Sequence, residues 1–344
     1  MASSPAAGLG RSIRDAALGM LLGGVSLLVL SGMRPPSSSG PTGHQHRGSE
    51  QGVLPAAKGP RSAGDYRPIA SYEMHARLDP AAHTIDGEAV VSWKNASKTE
   101  QSELYLHLYL NAFRSGETVF MRSDKAQGFR GAGTPASWGH IDVRRLFVRE
   151  LGEDLWPAAE LHSPDEPEDQ TDIRVPLPAP VAPGQSLTLE IEWQSRLPAL
   201  MLRTGYVGSF HMAAQWFPKL ARLEPDGRWA HFPFERLSEF YADFGDYDVT
   251  VDVPAGYVVG ATGKVVAEDR DAGRHRMRFV QQGVHDFAFA AWDDFRELRR
   301  TTASGVAMRS LYPPGDEAAA RLELDATASA LEYFGAKYGP YPYE

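Results

Sequence analysis

Alternation of polar and apolar residues runs through most of this chain and constrains its fold more than any other feature. Every second residue is apolar in Tyr72–Leu78, and the same period recurs in Leu187–Trp193 and Tyr247–Val253. A period of two belongs to strands with one buried face. No sustained helical pattern occurs between residues 72 and 311. The sequence therefore predicts a mainly β protein, with a large antiparallel β-sandwich or saddle domain over residues 66–312.

One segment has apolar side chains on both faces. In "ELYLHLYLNAF", from Glu103 to Phe113, leucines occupy one face, whereas Tyr105, His107 and Tyr109 occupy the other. Because apolar side chains on both faces must be buried against other parts of the protein, this segment is predicted to be a strand in the middle of a sheet.

A helical period appears only near the end of the sequence. Residues 316–336 place Ala320, Leu324, Ala328 and Leu331 on one stripe, and Gly339-Pro340 prevents continuation. The change of period near residue 313 predicts a domain boundary there. Residues 313–344 then form one helix and the approach to a strand.

The first 65 residues have a different composition. Arg11 and Arg14 precede an uncharged apolar run, Ala16–Met33, which is typical of a signal peptide or a membrane anchor. Residues 1–33 are therefore predicted to be an export signal or an uncleaved N-terminal helix in a membrane. Residues 34–65 are rich in Pro, Gly and Ser and are predicted to be a disordered linker.

Charge and cysteine content exclude several classes of function. The net charge is -9, with no basic stripe, so nucleic acid is not an expected partner. The absence of cysteine excludes disulfides, thiolate zinc sites and cysteine nucleophiles. A metal ion would have to be held by His, Asp or Glu.

Spacing alone reveals no active site. No two histidines lie four apart on a helical segment, and Pro233 interrupts the segment from His231 to Glu235, a His and a Glu with that spacing. Each of the pairs His140/Asp142 and His285/Asp286 could supply only part of the ligand set of a metal site. No G-x-S-x-G element is present. This chain is predicted to contain no catalytic residues and no metal site of its own.

Three stretches, taken in order, carry a resemblance to a known family. These are "QWFPKLARLEPDGRWAHFPFERLSEFYADFGDYDVTVDVPAGYVVGATG" from Gln215, "VHDFAFAAWDDF" from Val284, and "ALEYFGAKYGPYPYE" from Ala330. They resemble the N-terminal saddle domain and the start of the thermolysin-like catalytic domain in bacterial relatives of the membrane-alanyl aminopeptidases. That family consists of gluzincin zinc metallopeptidases, and the resemblance runs from about Tyr66 to Glu344.

The resemblance implies an exported aminopeptidase that is truncated here before its HExxH zinc-binding helix. In that family, zinc polarises a water molecule that a Glu activates to cut the first peptide bond. Zinc is therefore implied for the full-length protein, with a peptide as substrate, but the implied ligands lie beyond Glu344. The chain alone is expected to be inactive and to bind no zinc.

The resemblance also implies a substrate-binding residue in the saddle domain. In the family, a loop of this domain supplies a Gln or Glu that holds the free amine of the substrate. Gln215 is the only Gln or Glu from Leu200 to Lys219, whereas the usual spacing points to Ser209. The alternative for Gln215 is a hydrogen bond to backbone at the end of a strand. Trp216, Phe217 and Tyr241 are interpreted as core residues.

Two functional hypotheses remain open at this point. In the first, the chain is the non-catalytic N-terminal portion of a zinc aminopeptidase and helps to wall the peptide entrance. In the second, it is a membrane-tethered β-sandwich that acts as a binding or scaffold module. The surface of Leu324, Leu331 and Phe334 discriminates them, because a helix without its partner domain exposes these residues.

Overall fold

The computed structural model describes residues 68–125, 135–161, 166–199, 202–235, 237 and 240–343. The strands are, in chain order, β1 (Ala70–Asp79), β2 (Thr84–Lys94), β3 (Gln101–His107), β4 (His140–Val148), β5 (Glu153–Asp154), β6 (Asp172–Val181), β7 (Ser186–Arg196), β8 (Gly205–Val207), β9 (Phe210–Ala213), β10 (Lys219–Leu220), β11 (Arg222–Leu223), β12 (Trp229–Ala230), β13 (Gly245–Pro254), β14 (Val258–Ala261), β15 (Lys264–Asp271), β16 (Arg274–Val284), β17 (Phe289–Trp292), β18 (Arg296–Thr301) and β19 (Ala307–Tyr312). The α-helices are α1 (Val119–Lys125) and α2 (Glu317–Tyr338), and short 3₁₀ helices span Tyr109–Phe113, Pro135–Ser137 and Trp156–Ala158.

The described chain is organised around one eight-stranded sheet. Its order is β15-β16-β13-β1-β2-β7-β4-β5, and one hydrophobic core lies against it. The predicted alternation is confirmed in three of its strands, where every second side chain is buried. Because a slip of one residue would turn each buried set toward solvent, this alternation fixes the register of β1, β7 and β13.

Smaller sheets complete the β region. A three-stranded sheet has the order β10-β3-β6, a four-stranded sheet has the order β14-β17-β9-β8, and β11 pairs with β12. The prediction of an antiparallel domain needs one correction, because β1 and β13 pair in parallel. Many residues separate these two strands in sequence, so no hairpin turn dictates their direction.

The segment with two apolar faces is a central strand only in part. β3 lies between β10 and β6, as predicted, but it ends at His107. From Tyr109 to Phe113 the chain forms a buried 3₁₀ helix instead of continuing the strand. The short helix α1 follows, so the prediction that helix occurs only at the end was wrong. The carboxylate of Asp169 accepts a hydrogen bond from the Val119 backbone N–H at 3.1 Å, which satisfies a donor at the start of α1.

The terminal helix is present where the sequence predicts it. Ala320, Leu324 and Ala328 are buried, and Leu324 packs with Met308 of the β18-β19 hairpin. Glu332 accepts hydrogen bonds from the backbone N–H and the hydroxyl of Ser304 in the same hairpin, both at 3.0 Å. The helix therefore packs on the last hairpin of the β region. The domain boundary near residue 313 stays a prediction.

The predicted leader and linker, residues 1–33 and 34–65, lie outside the described residues. Within the part of the chain that the structure describes, no helix has the length and apolar character needed to cross a membrane.

Candidate functional site

Gln215 follows β9 and has a left-handed backbone with φ of 56°. This conformation is unfavourable for a residue with a Cβ atom, so the neighbouring contacts must impose it. Trp216 supplies them, because its carbonyl oxygen accepts hydrogen bonds from the Trp193 indole at 3.2 Å and the Ser195 hydroxyl at 2.5 Å. The Trp216 indole N–H donates to the Phe287 carbonyl oxygen at 3.1 Å. Trp216 is thus fixed in the core, and Gln215 is held beside it.

The side-chain amide of Gln215 belongs to a closed polar network. Its Nε2 donates to the Asp286 carboxylate, and its Oε1 accepts from Lys219 Nζ at 3.3 Å. Lys219 Nζ also lies 2.8 Å from Asp286 Oδ2. Burial lowers the pKa of the Lys219 ammonium, and the Asp286 carboxylate opposes that effect. These three groups therefore fix the orientation of the amide.

This network bears on the predicted substrate role of Gln215. The amide contacts two charged side chains, so the alternative of a backbone bond at a strand end does not describe its hydrogen bonds. A substrate ammonium at Oε1 would lie close to the Lys219 ammonium, and like charges repel. Asp286 is the nearest group of opposite charge. Amine binding by Gln215 stays a prediction.

Ser209, which the usual spacing of the family indicates, lies between β8 and β9. Its hydroxyl donates to Asp293 Oδ1 at 2.7 Å and accepts from the Trp292 indole N–H at 3.0 Å. Both contacts belong to the packing of β17 and the turn that follows it. Ser209 is thus engaged in structural hydrogen bonds.

Gln215 lines a cavity of about 120 Å³. Apolar and aromatic side chains form most of the wall, and two polar residues, Thr204 and Arg203, complete it beside Gln215. The remaining lining residues are Tyr109, Leu110, Phe113, Leu202, Ala214, Phe234 and Phe240. Four separate chain segments therefore meet at this cavity, and nothing in the local sequence pattern indicates it.

A second polar group of residues lies next to this cavity. The His107 ring stacks on the Tyr109 ring, with centroids 4.5 Å apart. The His107 ring nitrogens and the Tyr109 hydroxyl are buried without a hydrogen bond of good geometry among the described residues, although His107 lies near the Ala230 backbone and Tyr109 near the Tyr241 backbone. Burial lowers the pKa of His107 to about 3 and raises the pKa of Tyr109. Both side chains are therefore neutral at physiological pH.

The two His and Asp pairs from the sequence have separate partners. His140 Nε2 lies 3.0 Å from Asp142 Oδ2, and burial lowers the pKa of His140. His285 Nδ1 lies 3.1 Å from the Ala242 carbonyl oxygen. Among the described residues, no three His, Asp or Glu side chains come together in a group that could hold a metal ion. The described residues therefore do not fit a zinc site.

The core interpretation of the aromatic residues is confirmed for Trp216 and Phe217, which are buried. It was wrong for Tyr241, which is 39 % exposed. The Tyr241 hydroxyl donates to Glu224 at 2.7 Å, and its ring contacts the Arg222 guanidinium.

The pairing of Lys219 with Asp286 could not be predicted from the sequence. Lys219 sits among apolar residues in "WFPKLA", and a lysine in such a run is rarely buried unless it is paired. The apolar neighbours of Lys219 were therefore a signal that this lysine is buried, but they did not indicate which residue pairs with it. Asp286 was noted only as a possible metal ligand.

Comparison with known proteins identifies relatives by structure alone. No family model matches the sequence, and no curated protein matches it. A mutant M1 zinc metallopeptidase from Deinococcus radiodurans matches with a TM-score of 0.51 and 16% identity, over 80% of this chain and 55% of that chain. The same mutant bound to a Tyr-Ser-Ala substrate matches with a TM-score of 0.50 and 17% identity over the same shares of each chain. The enzyme without that mutation gives a TM-score of 0.50 and 16% identity, again over 80% and 55%.

These matches concern the fold. The chain spans 55% of the length of each of these metallopeptidases. At 16–17% identity the likeness does not carry activity from one protein to the other. The described residues share their fold with part of the M1 zinc metallopeptidases.

Proposed function

We propose that this chain is the N-terminal, non-catalytic portion of an exported zinc metallopeptidase of the aminopeptidase type. The structural match to M1 zinc metallopeptidases over 80% of the chain carries this proposal. The ordered motifs from Gln215 to Glu344 support it independently, because they resemble the same family in sequence. In this proposal the β region packs on a catalytic domain. It forms one side of the opening through which the N-terminus of a peptide enters the active site.

The chemistry of the proposed reaction belongs to residues outside those described. Zinc, when bound, supplies a polarised water molecule for peptide hydrolysis. The described residues bring no three candidate ligands together, so we assign none of them to zinc. Their proposed contribution is a rigid wall, since Trp216 and the Lys219/Asp286 pair hold the segment around Gln215.

Metal content and peptidase activity test this function. The purified chain is expected to contain less than a stoichiometric amount of zinc and not to hydrolyse an aminoacyl reporter. A longer protein, extended by the residues encoded immediately downstream of the codon for Glu344, is expected to bind one zinc ion and to hydrolyse the reporter until a chelator is added. Zinc-dependent hydrolysis by the 344-residue chain would refute a non-catalytic role. A downstream sequence without an HExxH helix would refute the link to a peptidase.

Exposed aromatic residues on α2 favour this proposal over a stand-alone binding module. Of the three residues expected to discriminate the two hypotheses, Leu324 is buried and Leu331 packs against the same cluster, whereas Phe334 is 47 % exposed. Tyr338, one turn beyond Phe334, is 77 % exposed. An adjoining catalytic domain would cover such a face, whereas an independent module gains nothing from exposing it.

Export to a membrane surface is part of the proposal. The apolar run from Ala16 to Met33 follows two arginines, as in N-terminal anchors. The full chain is expected to sediment with membranes and to resist extraction at alkaline pH. A variant that lacks residues 1–33 is expected to stay in the soluble fraction. Recovery of the full chain in the soluble fraction would show instead that the segment is removed or is not an anchor.

A further inference from the structure

Two histidines from separate sheets face each other at the edge of the four-stranded sheet. Nδ1 of His83, in the turn between β1 and β2, lies 2.9 Å from Nε2 of His211 in β9. The His83 ring also stacks on the Tyr206 ring of β8, with centroids 3.4 Å apart and planes 7° from parallel. One imidazole ring therefore joins a turn of the eight-stranded sheet to the β8-β9 hairpin.

The hydrogen bonds of His211 determine which ring nitrogens carry protons. His211 Nδ1 lies 2.9 Å from the Ser209 carbonyl oxygen, which can only accept, so Nδ1 carries a proton. Nε2 of a neutral His211 is then without a proton, and His83 Nδ1 is the donor in the bond between the two rings. A second proton on His211, at Nε2, places two N–H groups against each other and removes this bond.

We propose that the hydrogen bond between His83 and His211 is a proton-sensitive latch. It holds the β8-β9 hairpin on the turn between β1 and β2 while His211 is neutral, and it releases the hairpin when His211 gains a proton. Gln215 lies two residues after the end of β9, so release also loosens one wall of the cavity beside Gln215. The proposal does not depend on the proposed peptidase function.

The surroundings of His211 disfavour its charged form. The ring is fully buried, and burial lowers its pKa to about 4. The neighbouring His83 acts in the same direction, whereas the Ser209 carbonyl oxygen and the Asp293 carboxylate after β17 oppose it. The Tyr257 ring, just before β14, lies 6.4 Å away and stays neutral, because burial raises its pKa to about 12. The groups that face His211 therefore compensate a charge on its ring only in part.

The surroundings of His83 are different. Burial lowers its pKa, the Arg196 guanidinium of β7 acts in the same direction, and the Asp79 carboxylate of β1 opposes both. Nε2 of His83 makes no hydrogen bond to a described residue, so a proton there leaves Nδ1 as the donor to His211. A charged His83 also lies over the Tyr206 ring, whose face attracts cations. The latch therefore tolerates a proton on His83 and is broken by a proton on His211.

The hairpin is the part that moves when the bond breaks. The His83 carbonyl oxygen accepts from the Leu197 backbone N–H at 2.9 Å, just beyond the end of β7. The Asp79 carboxylate accepts from the backbone N–H groups of Ala81 and Ala82 at 2.9 and 3.1 Å in the same turn. By contrast, β8 is the edge strand of its sheet. The turn is thus tied to the larger sheet, whereas the hairpin has one free side.

Nitrogen NMR of the imidazole rings in the full chain tests the hydrogen bonds of the latch. At neutral pH both rings are expected in the form that carries its proton at Nδ1, because His211 donates to Ser209 and His83 donates to His211. The variants His83→Gly and His211→Phe identify the two signals by their loss. His211 is expected to gain its second proton at a pH of about 4. A neutral His211 protonated at Nε2, or a pKa for His211 near the 6.5 of an unfolded histidine, would overturn the proposal.

Hydrogen exchange of the backbone amides, measured by mass spectrometry, tests the release of the hairpin. An exposed histidine titrates near 6.5 and His211 at about 4, so the open population of the hairpin is expected to rise about twentyfold from pH 7 to pH 5. Protection of β8 and β9, corrected for the intrinsic exchange rate, is expected to fall by the same factor. Their amides are also expected to exchange faster than those of β1 and β13 and not to respond to dilute urea, as in a local opening. Exchange of all four strands at one rate would show that no separate release occurs.

Three variants assign the effect to this pair. His211→Phe keeps a ring in place but carries no proton, so the protection of β8 and β9 is expected to be the same at pH 7 and pH 5. His83→Gly allows the left-handed backbone of this turn and deletes the bond, so protection at pH 7 is expected to fall about fivefold. His75→Gln, which removes another half-buried histidine from β1, is expected to behave as the native chain. A full pH response in His211→Phe, or unchanged protection in His83→Gly, would overturn the latch. His83→Gly decides alone if His211→Phe does not fold.

Discussion

The ammonium nitrogen of Lys219 lies 2.8 Å from a carboxylate oxygen of Asp286, and only 2 % of the Lys219 side chain is exposed. A buried charge is tolerated when it is paired, whereas removal of one partner leaves the other uncompensated. Asp286→Asn is therefore expected to lower the free energy of unfolding by about 3 kcal/mol, measured by urea denaturation. Lys219→Met, which removes the buried charge itself, is expected to cost less. If Asp286→Asn and the native chain have the same free energy of unfolding, then Asp286 does not stabilise the buried charge of Lys219.

The depressed pKa of Lys219 predicts a dependence of stability on alkaline pH. Burial lowers this pKa in the folded state, whereas a lysine in the unfolded chain titrates near 10.4. Between these two pKa values the unfolded chain binds more protons, so the free energy of unfolding rises with pH. The native chain is therefore expected to gain stability relative to Lys219→Met as the pH approaches 10. A constant difference between the two proteins across this window would contradict the shift.

The buried ring of His107 predicts sensitivity to acid. Burial lowers the pKa of His107 to about 3, and the charges of Lys219 and His231 act in the same direction. An unfolded histidine titrates near 6.5, so the contribution of His107 to stability is complete above that pH and is lost as the pH falls toward 3. The loss is expected to reach about 2 kcal/mol at pH 5. His107→Phe is expected to remove it.

The control for this prediction lies in the hydrogen bonds of His107. Neither ring nitrogen has a hydrogen bond of good geometry among the described residues, and the ring only lies near the Ala230 backbone, so His107→Phe removes little hydrogen bonding there. Its stability at pH 8 is therefore expected to equal or exceed that of the native chain. His275→Phe is a matched comparison, because the His275 ring is buried but contacts the Tyr257 carbonyl oxygen at 3.1 Å and Glu268 at 2.8 Å. An unchanged pH profile in His107→Phe would mean that another group causes the acid sensitivity.

The left-handed backbone of Gln215 predicts an unusual order of stability among its variants. Gln215→Ala and Gln215→Gly delete the same amide and the same bonds to Lys219 and Asp286. Only glycine adopts the observed φ of 56° without steric cost. The glycine variant is expected to be more stable than the alanine variant by about 1 kcal/mol, measured by chemical denaturation. The opposite order would show that the backbone relaxes to a right-handed conformation when the amide is removed.

The exposed aromatic residues in the last turns of α2, Phe334 and Tyr338, predict self-association of this chain. Phe334→Ser with Tyr338→Ser is expected to reduce light scattering at high protein concentration and to leave the unfolding temperature nearly unchanged, because both side chains are exposed. Leu324→Ser, on the buried stripe, is expected to destabilise the chain by about 3 kcal/mol without reducing aggregation. Aggregation that is equal in the native chain and the double variant would show that this face does not drive association.

The regular elements could be predicted in detail because they depend on local periodicity. Tyr72 to Leu78, Leu187 to Trp193 and Tyr247 to Val253 are buried as the alternation requires. The stripe of α2 is buried at Ala320, Leu324 and Ala328. Side-chain direction follows from secondary structure within each of these segments, so no knowledge of distant residues is required.

The candidate site could be predicted only in part. The sequence pointed to Gln215 through a resemblance, whereas the burial of Lys219 was not predicted, although its apolar neighbours were a signal for it. It gave neither the ring of contacts with Asp286 nor the left-handed φ of Gln215. Both depend on the anchoring of Trp216 by Trp193 and Ser195, which belong to another sheet.

By itself, the sequence determined the strand period, the terminal helix, the absence of cysteine chemistry and the resemblance to zinc metallopeptidases. Only the tertiary structure decided that β1 pairs in parallel with β13, that the chain bends into a 3₁₀ helix at Tyr109, and that four segments enclose a cavity beside Gln215. The physical reason is that periodicity records which side of a segment is buried. The partners on that side are chosen by the packing of residues that lie far apart in the chain.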